Sequence, residues 1–140
     1  MNPGTSHKGR ARFSTIFVLD DDPAQADMTA QALSGQHHRI RTFYDPLKAL
    51  AALSDDRPDL FITDLSMPWI DGRDVVESAR VRQPDLQILL LSAFQRGAEV
   101  AAAKQIDFLR KPVELGHLLA AVNHALQARG ASYDRQVVAT

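Results

Sequence analysis

Short apolar segments alternate with longer segments that carry helix signals, and this alternation limits the possible folds more than any other feature of the chain. The apolar runs are TIFVL, DLFIT, LQILLL and IDFL. Such an alternation is typical of βαβ units, in which parallel strands are joined by crossover helices. A length of 140 residues suits one domain built from these units.

The helical segments have recognisable beginnings and one clear end. Asp22-Pro23 and Asp45-Pro46 each place a capping carboxylate before a proline at the first helical position. Gly35 stands where a glycine would end the first helix. The last helix has an apolar stripe at helical spacing, formed by Leu115, Leu118, Leu119, Val122, Ala125 and Leu126.

These signals predict five strand–helix units. The predicted strands span 15–19, 39–43, 59–63, 86–91 and 107–110, and the predicted helices span 23–34, 46–54, 72–82, 96–104 and 114–128. The first, third and fourth strands are apolar throughout, whereas RIRTF and DFLR contain polar residues and are predicted to be edges. With right-handed crossovers, we expect an α/β fold with a doubly wound five-stranded parallel sheet of order 2-1-3-4-5, the flavodoxin-like (βα)5 arrangement.

Polar side chains follow four of the five strands. Asp20 and Asp21 follow the first, Asp64 the third, Ser92 the fourth and Lys111 the fifth. In an open parallel sheet these ends meet at one rim, where ligands bind. Three carboxylates within about 4 Å of one another repel by roughly 4 kcal/mol per pair at an effective dielectric near 20. The cluster therefore calls for a cation, and Mg²⁺ suits an all-oxygen site.

With a metal in place, an aspartate can attack phosphorus while an ammonium and a hydroxyl take charge on the phosphoryl oxygens. Each residue also has an ordinary structural interpretation, since Asp22 is a helix cap, Lys111 suits an edge strand and Ser92 suits a loop. The combination of three acids, a hydroxyl and an amine at four strand ends favours a site for phosphoryl transfer to aspartate.

The segments FVLDDDP, FITDLSMPWIDG, ILLLSA and DFLRKP resemble the four signature stretches of response-regulator receiver domains, in the family's order and over roughly residues 15–128. The resemblance implies that Asp64 accepts a phosphoryl group from a phosphohistidine, and that Lys111 and Ser92 contact that group. The implied Mg²⁺ ligands are Asp21, Asp64 and the backbone carbonyl of Ser66, with Asp20 acting through water.

The resemblance also implies a switch and a route for dephosphorylation. Ser92 and Phe108 occupy the two switch positions, while Ser66 and Phe94 flank the path of the hydrolytic water. Ser92 stands where many receivers have threonine. The stretch from Ser92 to Phe108 is shorter than is usual in the family, so we expect an abbreviated or irregular fourth helix. Trp69 is interpreted as a lid over the sheet edge rather than a partner anchor.

The sequence predicts a phosphorelay signal receiver that assists its own phosphorylation and slow dephosphorylation and is not otherwise an enzyme. Its expected partners are a sensor histidine kinase or histidine phosphotransfer protein and an unidentified output partner, and a homodimer stays open. A stand-alone receiver is favoured over the receiver module of a hybrid histidine kinase. A haloacid-dehalogenase-like phosphatase would need a second aspartate where the chain has Ser66. A receiver whose site is vestigial is disfavoured because every matched residue is present.

The composition of the chain limits the partners, metal sites and location that can be expected. A net charge of -1 gives no electrostatic footprint for nucleic acid or membrane, and the absence of cysteine excludes disulfides and thiolate metal sites. No apolar run approaches bilayer length, so the cytoplasm is the expected location. The receiver domain is predicted over residues 14–129, between flexible tails at 1–13 and 130–140.

Overall fold

A five-stranded parallel sheet with helices on both faces forms the centre of the computed structural model, which describes residues 14–35 and 37–139, with side chains through Arg129. The strands are β1 (Ser14–Leu19), β2 (His38–Phe43), β3 (Leu60–Asp64), β4 (Gln87–Ser92) and β5 (Asp107–Arg110). The helices are α1 (Pro23–Leu33), α2 (Pro46–Asp55), α3 (Gly72–Arg82), α4 (Gln95–Lys104) and α5 (Leu115–Ala139). The strand order is β2-β1-β3-β4-β5, so the predicted order and fold class are confirmed.

Apolar side chains on both faces of the sheet hold the helices in place. Helices α2 and α3 pack on the face that carries Phe17 and Phe61, whereas α1 and α5 pack on the face that carries Ile16 and Ile62. Every residue of β3 is buried, as the central strand of such a sheet requires. Each fully buried aliphatic or phenyl side chain contributes roughly 1.5–3 kcal/mol, so this core supplies most of the favourable free energy.

Three helices begin at an aspartate whose carboxylate accepts a backbone N–H of the first turn. Asp22 accepts from Ala24 at 3.0 Å, Asp45 from Leu47 at 2.9 Å, and Asp71 from Arg73 at 2.9 Å. The two helix caps predicted from Asp-Pro pairs are confirmed. Helix α4 differs, because its N-cap residue, Phe94, offers no side-chain acceptor.

The fourth helix is regular, and the expectation of an abbreviated or irregular helix is wrong. Helix α4 has ten residues, as many as α2, and ends at Gln105 in the left-handed region with φ 58° and ψ 47°. What is short is the connection before it, because only Ala93 and Phe94 separate Ser92, the end of β4, from Gln95. The first turn of α4 therefore lies directly beside the end of β4.

The last helix is longer than predicted. It runs to Ala139, beyond the predicted end at residue 128 and through most of the predicted tail at 130–140. Gly130 lies within the helix at a cost of about 1 kcal/mol relative to alanine, which a long helix tolerates. The predicted tail at residues 1–13 lies outside the described residues, and the domain limits stay a prediction. Among the helices that the structure describes, none combines the length and apolar character needed to cross a membrane.

The loop between β3 and α3 closes tightly on itself. The Gly72 N–H donates to the Leu65 carbonyl at 3.0 Å, and Ser66 and Asp71 form an antiparallel bridge across the loop. A Cβ at Gly72 would lie 2.6 Å from the Leu65 oxygen and 2.7 Å from its Cα. Because these are backbone atoms, they cannot move aside, and the loop requires glycine at this position.

Gly72→Ala should lower the free energy of unfolding by roughly 1–3 kcal/mol, the usual cost of overpacking, when it is measured by urea denaturation. Gly116→Ala is a matched control in a helix, because the nearest atom to its added Cβ is Glu114 Oε1 at 3.6 Å. The control should be neutral or stabilise by up to about 1 kcal/mol. Equal effects of the two substitutions would contradict the steric account of the loop.

Candidate functional site

The side chains predicted from the strand ends lie at the carboxyl edge of the sheet. Asp20 follows β1 directly and Asp64 is the last residue of β3. One carboxylate oxygen from each of Asp20, Asp21 and Asp64 lies within 4.8 Å of the other two. The predicted carboxylate cluster is therefore present, with Asp20 and Asp64 buried and Asp21 partly exposed.

Lys111 forms ion pairs with two carboxylates of this cluster. Its Nζ lies 2.9 Å from Asp20 Oδ2 and 3.5 Å from Asp64 Oδ1. Lys111 also donates to Gln25 Oε1 at 2.6 Å, and the Gln25 amide in turn donates to Asp22 Oδ2 at 3.2 Å. Gln25 was missed by sequence reasoning, since a glutamine in the first turn of a helix carries no signal for such a contact. It fixes one side of the ammonium.

Each oxygen of the Asp20 carboxylate accepts a hydrogen bond from within the protein. Its Oδ1 accepts the backbone N–H of Asp22 at 3.0 Å, and its Oδ2 accepts the ammonium of Lys111. Only 5% of Asp20 is exposed to solvent, so these two donors replace the water that the carboxylate has lost. Asp21 makes no comparable contact with Lys111 and faces the open cleft beside Ser66 and Trp69.

The charge of the Asp64 carboxylate is balanced less completely by its neighbours than that of Asp20. Burial raises the pKa of its carboxyl above the ordinary value, whereas the charge of Lys111 lowers it. The charge of Asp20 raises the pKa further, and the backbone N–H of Ser66 and a hydrogen bond from Lys111 lower it. The net result is a pKa above the ordinary value for the Asp64 carboxyl. An additional cation at this edge would reverse that balance, because it would favour the ionised carboxylate.

Ser92, the last residue of β4, is buried beside the cluster. Its Oγ accepts the backbone N–H of Phe94 at 3.1 Å, and its carbonyl accepts the backbone N–H of Lys111 at 2.9 Å. The backbone thus ties the ends of β4 and β5 together. The hydroxyl is directed toward the first turn of α4.

Two further predicted positions lie near α4, and one interpretation has to be corrected. Phe108 is partly buried and packs against a cluster that includes Leu65 and Val100. Phe94 precedes α4 and is 60% exposed. Trp69 is 84% exposed, so its interpretation as a lid over the sheet edge is wrong. Its indole lies in solvent beside the open cleft that Ser66 and Ile70 also line.

An ion-pair cluster at Asp71 links the acceptor loop to α4, and sequence reasoning missed it. Asp71 Oδ2 accepts from Arg73 at 2.8 Å and from Arg96 at 3.0 Å. Hydrogen bonding from Arg73 holds the pKa of the Asp71 carboxyl below its ordinary value, with a smaller contribution from the charge of Arg96. Arg96 belongs to the first turn of α4, so the loop that follows Asp64 and this helix are joined directly.

The sequence and the fold both match known proteins. Residues 16–123 match the family model described as the response regulator receiver domain. The chain belongs to this family. The resemblance drawn from four sequence segments is thereby confirmed, and the chain is a receiver domain of the two-component signalling type.

The chain spans about half the length of the curated relatives that it matches. It is 34% identical over 127 residues to response regulator MprA from Mycobacterium avium (strain 104). The matched region covers 89% of this chain and 56% of that protein. The structure of NtrX from Brucella abortus in complex with ATP superposes with a TM-score of 0.83 at 26% identity, covering 89% of this chain and 29% of that one. A CheY-like receiver domain protein from Methanospirillum hungatei JF-1 gives a TM-score of 0.80 at 20% identity, covering 86% and 99%. This last likeness supports the fold.

Asp64→Asn should raise the free energy of unfolding at pH 7 in EDTA, because the amide removes a buried charge beside Asp20. The folded-state pKa of Asp64 lies above its ordinary value, so the ionised wild-type carboxylate lowers stability at neutral pH. That cost disappears as the pH falls through the folded pKa toward the ordinary value of an aspartate, about 4, because the native carboxyl gains its proton before the unfolded one does. The advantage of the variant should therefore shrink with acidification in urea titrations.

Asp22→Asn is the control for this comparison. Asp22 is exposed, and asparagine caps a helix as well as aspartate does. We expect little change in stability for the control at either pH. A lower stability of Asp64→Asn at pH 7 would show that the ion pair with Lys111 outweighs the cost of burial.

Proposed function

We propose that Asp64 accepts a phosphoryl group from the phosphohistidine of a sensor histidine kinase or histidine phosphotransfer protein, with Mg²⁺, and that the modified domain then engages an output partner. One observation carries the proposal. Three carboxylates converge within 4.8 Å beside a lysine ammonium that is 3.5 Å from Asp64. Carboxylates that can hold a cation, with a lysine ammonium close to one of them, are the groups that phosphoryl transfer to an aspartate requires.

The residues at the site fit Mg²⁺. All the candidate ligands are oxygen atoms, and few protein carboxylates are needed because this cation keeps several waters. We assign Asp21, Asp64 and the backbone carbonyl of Ser66 as direct ligands, with Asp20 acting through water. When bound, the cation would neutralise the carboxylates and withdraw charge from the phosphoryl oxygens.

The chain's own groups would carry out the rest of the reaction. An Asp64 oxygen forms a bond to phosphorus as the bond from phosphorus to the donor imidazole breaks, and the electron pair returns to that nitrogen. Lys111, held near Asp64 by Gln25 and Asp20, would contact one phosphoryl oxygen as a point charge. The hydroxyl of Ser92 would donate to another. The new acyl phosphate would be hydrolysed slowly by water passing between Ser66 and Phe94.

A shallow apolar groove beside Lys111 offers a place for the donor protein. Met28 of α1 is 68% exposed and Leu115 of α5 is 54% exposed, and both line the groove together with Pro112. A donor that docks here would reach Asp64 from the side of α1. We also propose that the protein meets this partner in the cytoplasm. The proposed functional unit is the receiver domain over residues 14–129. An output partner and a homodimer remain predictions.

A haloacid-dehalogenase-like phosphatase is not favoured by the site. That chemistry needs a second aspartate two residues after the nucleophile, where this chain has Ser66. The backbone N–H of Ser66 contributes a hydrogen bond to Asp64, but its hydroxyl does not ionise near neutral pH and so cannot replace a carboxylate as the general acid and base. Receiver chemistry accounts for every residue of the cluster.

Incubation of the protein with acetyl phosphate and MgCl₂ should add one phosphoryl mass, because Asp64 is the acceptor and small phosphodonors can replace the protein donor. Asp64→Asn should remain unmodified. Intact-mass spectrometry checks both results. A wild-type protein that stays unmodified, or an Asp64→Asn variant that gains the mass, would contradict the assignment.

The metal assignment has its own controls. EDTA should abolish the mass gain, and Asp21→Asn should slow it strongly because Asp21 is a proposed ligand. Asp22→Asn removes a neighbouring charge but keeps the helix cap, so it should react at nearly the wild-type rate. Equal rates for the two substitutions would show that Asp21 has no special role.

Phe94→Ala should shorten the half-life of the phosphorylated protein several-fold, because the ring of Phe94, which is exposed, is proposed to obstruct the approach of water to phosphorus. The decay is followed by mass spectrometry after removal of the phosphodonor. Trp69→Ala removes another exposed ring near the site and serves as the control, with an unchanged half-life expected. An unchanged or longer half-life for Phe94→Ala would refute this role.

A further inference from the structure

The ammonium of Lys111 makes two short contacts and one long one. Its Nζ lies 2.6 Å from Gln25 Oε1 and 2.9 Å from Asp20 Oδ2, but 3.5 Å from Asp64 Oδ1. An ammonium has three hydrogens to donate. Gln25 and Asp20 engage two of them, and the third makes only the long contact with Asp64. A phosphoryl oxygen on Asp64 would offer this third hydrogen a better acceptor.

Gln25 is exposed in the first turn of α1, in an orientation that presents its oxygen to Lys111. Since an ammonium only donates hydrogen bonds, the amide oxygen of Gln25 must face Lys111 and the amide nitrogen must face away. That nitrogen donates to Asp22 Oδ2 at 3.2 Å. The contact with Lys111 is the shorter of the two and involves the charge of the ammonium, so it contributes more to the position of the glutamine.

Gln25 and Asp64 pull the same ammonium in different ways. The side chain of Lys111 is 18% exposed and that of Asp64 is 10% exposed, so the attraction between their charges is screened less than at the surface. An ammonium released by Gln25 would close on Asp64 to about 2.8 Å, the usual length of such an ion pair. The closed pair would occupy an oxygen that Asp64 needs for the cation or for phosphorus.

We propose that Gln25 is a positioning residue, which holds the ammonium of Lys111 apart from Asp64 until a phosphoryl oxygen is available. This inference rests on the proposed function of Asp64 as phosphoryl acceptor. Gln25 contacts neither phosphorus nor the cation, and it acts only through Lys111. A side chain of α1 thereby sets how readily the aspartate at the end of β3 accepts a phosphoryl group.

Gln25→Met tests the contact, because methionine has a similar length but only a weak acceptor. Gln31→Met is the matched control, since Gln31 is another exposed glutamine of the same helix. With acetyl phosphate and MgCl₂, Gln25→Met should gain the phosphoryl mass roughly five- to tenfold more slowly than the wild type, the effect of losing one hydrogen bond of ordinary strength. Gln31→Met should react at the wild-type rate.

A double-mutant cycle separates positioning from a merely structural role. Gln25→Met should have no further effect in a Lys111→Ala background, because the residue through which Gln25 acts is then absent. Gln25→Glu keeps an acceptor for the ammonium. It should react within about twofold of the wild type in roughly 0.5 M KCl, where the repulsion between its exposed charge and acetyl phosphate is screened. An equal loss of rate in both backgrounds, or a Gln25→Glu variant as slow as Gln25→Met, would overturn the inference.

Crystal structures of the wild type and of Gln25→Met, both grown without metal, give a measurement that does not depend on the reaction. In the variant the distance from Lys111 Nζ to Asp64 Oδ1 should fall from 3.5 Å to about 2.8 Å. Equal distances in the two crystals would overturn the inference. This comparison decides if Lys111→Ala reacts too slowly for the cycle to be measured.

The outcomes separate the inference from the proposed function. A wild-type protein that gains the phosphoryl mass, together with a Gln25→Met variant that gains it equally fast, would overturn the inference alone and leave the role of Asp64 intact. A wild-type protein that gains no mass would overturn the proposed function and, with it, the inference.

Discussion

Three carboxylates held close together at the carboxyl edge of the sheet repel one another, and much of the surrounding structure compensates for that repulsion. Lys111 neutralises Asp20 at 2.9 Å, and the backbone N–H of Asp22 supplies a further donor. Asp64 receives less help, and burial raises the pKa of its carboxyl. The carboxylates repel one another, but the same arrangement would attract a cation, and the cation with Lys111 would attract a phosphoryl group. These attractions are stronger in a buried site than in water.

The sheet explains why this edge could be predicted from the sequence. Strands that are apolar throughout must be covered on both faces, and this condition identified β1, β3 and β4 as central. Once the order is known, the residues that follow the strands must meet at one edge. Asp20, Asp64, Ser92 and Lys111 were identified in this way because topology, rather than any particular packing, brings them together.

Contacts that depend on the position of a whole helix could not be predicted. The contact of Gln25 with Lys111 depends on how α1 lies over the edge, and the exposure of Trp69 depends on how the following loop closes. The close packing at Gly97 could not be predicted either, because its neighbours, Ser92 and Phe108, belong to β4 and β5 and meet it only when α4 is in place. The end of α5 was missed because Gly130 weakens a helix without stopping it.

The first turn of α4 is joined to the acceptor site by two separate routes. Gly97 contacts Ser92, whose hydroxyl is proposed to meet the phosphoryl group, while Arg96 pairs at 3.0 Å with Asp71 at the end of the loop that follows Asp64. The same loop carries Ser66, whose carbonyl is a proposed metal ligand, so a cation would act on one route and a phosphoryl oxygen on the other. Both routes end within one helical turn, so a change at the hydroxyl of Ser92 and a change in the loop that follows Asp64 would reach the same part of α4.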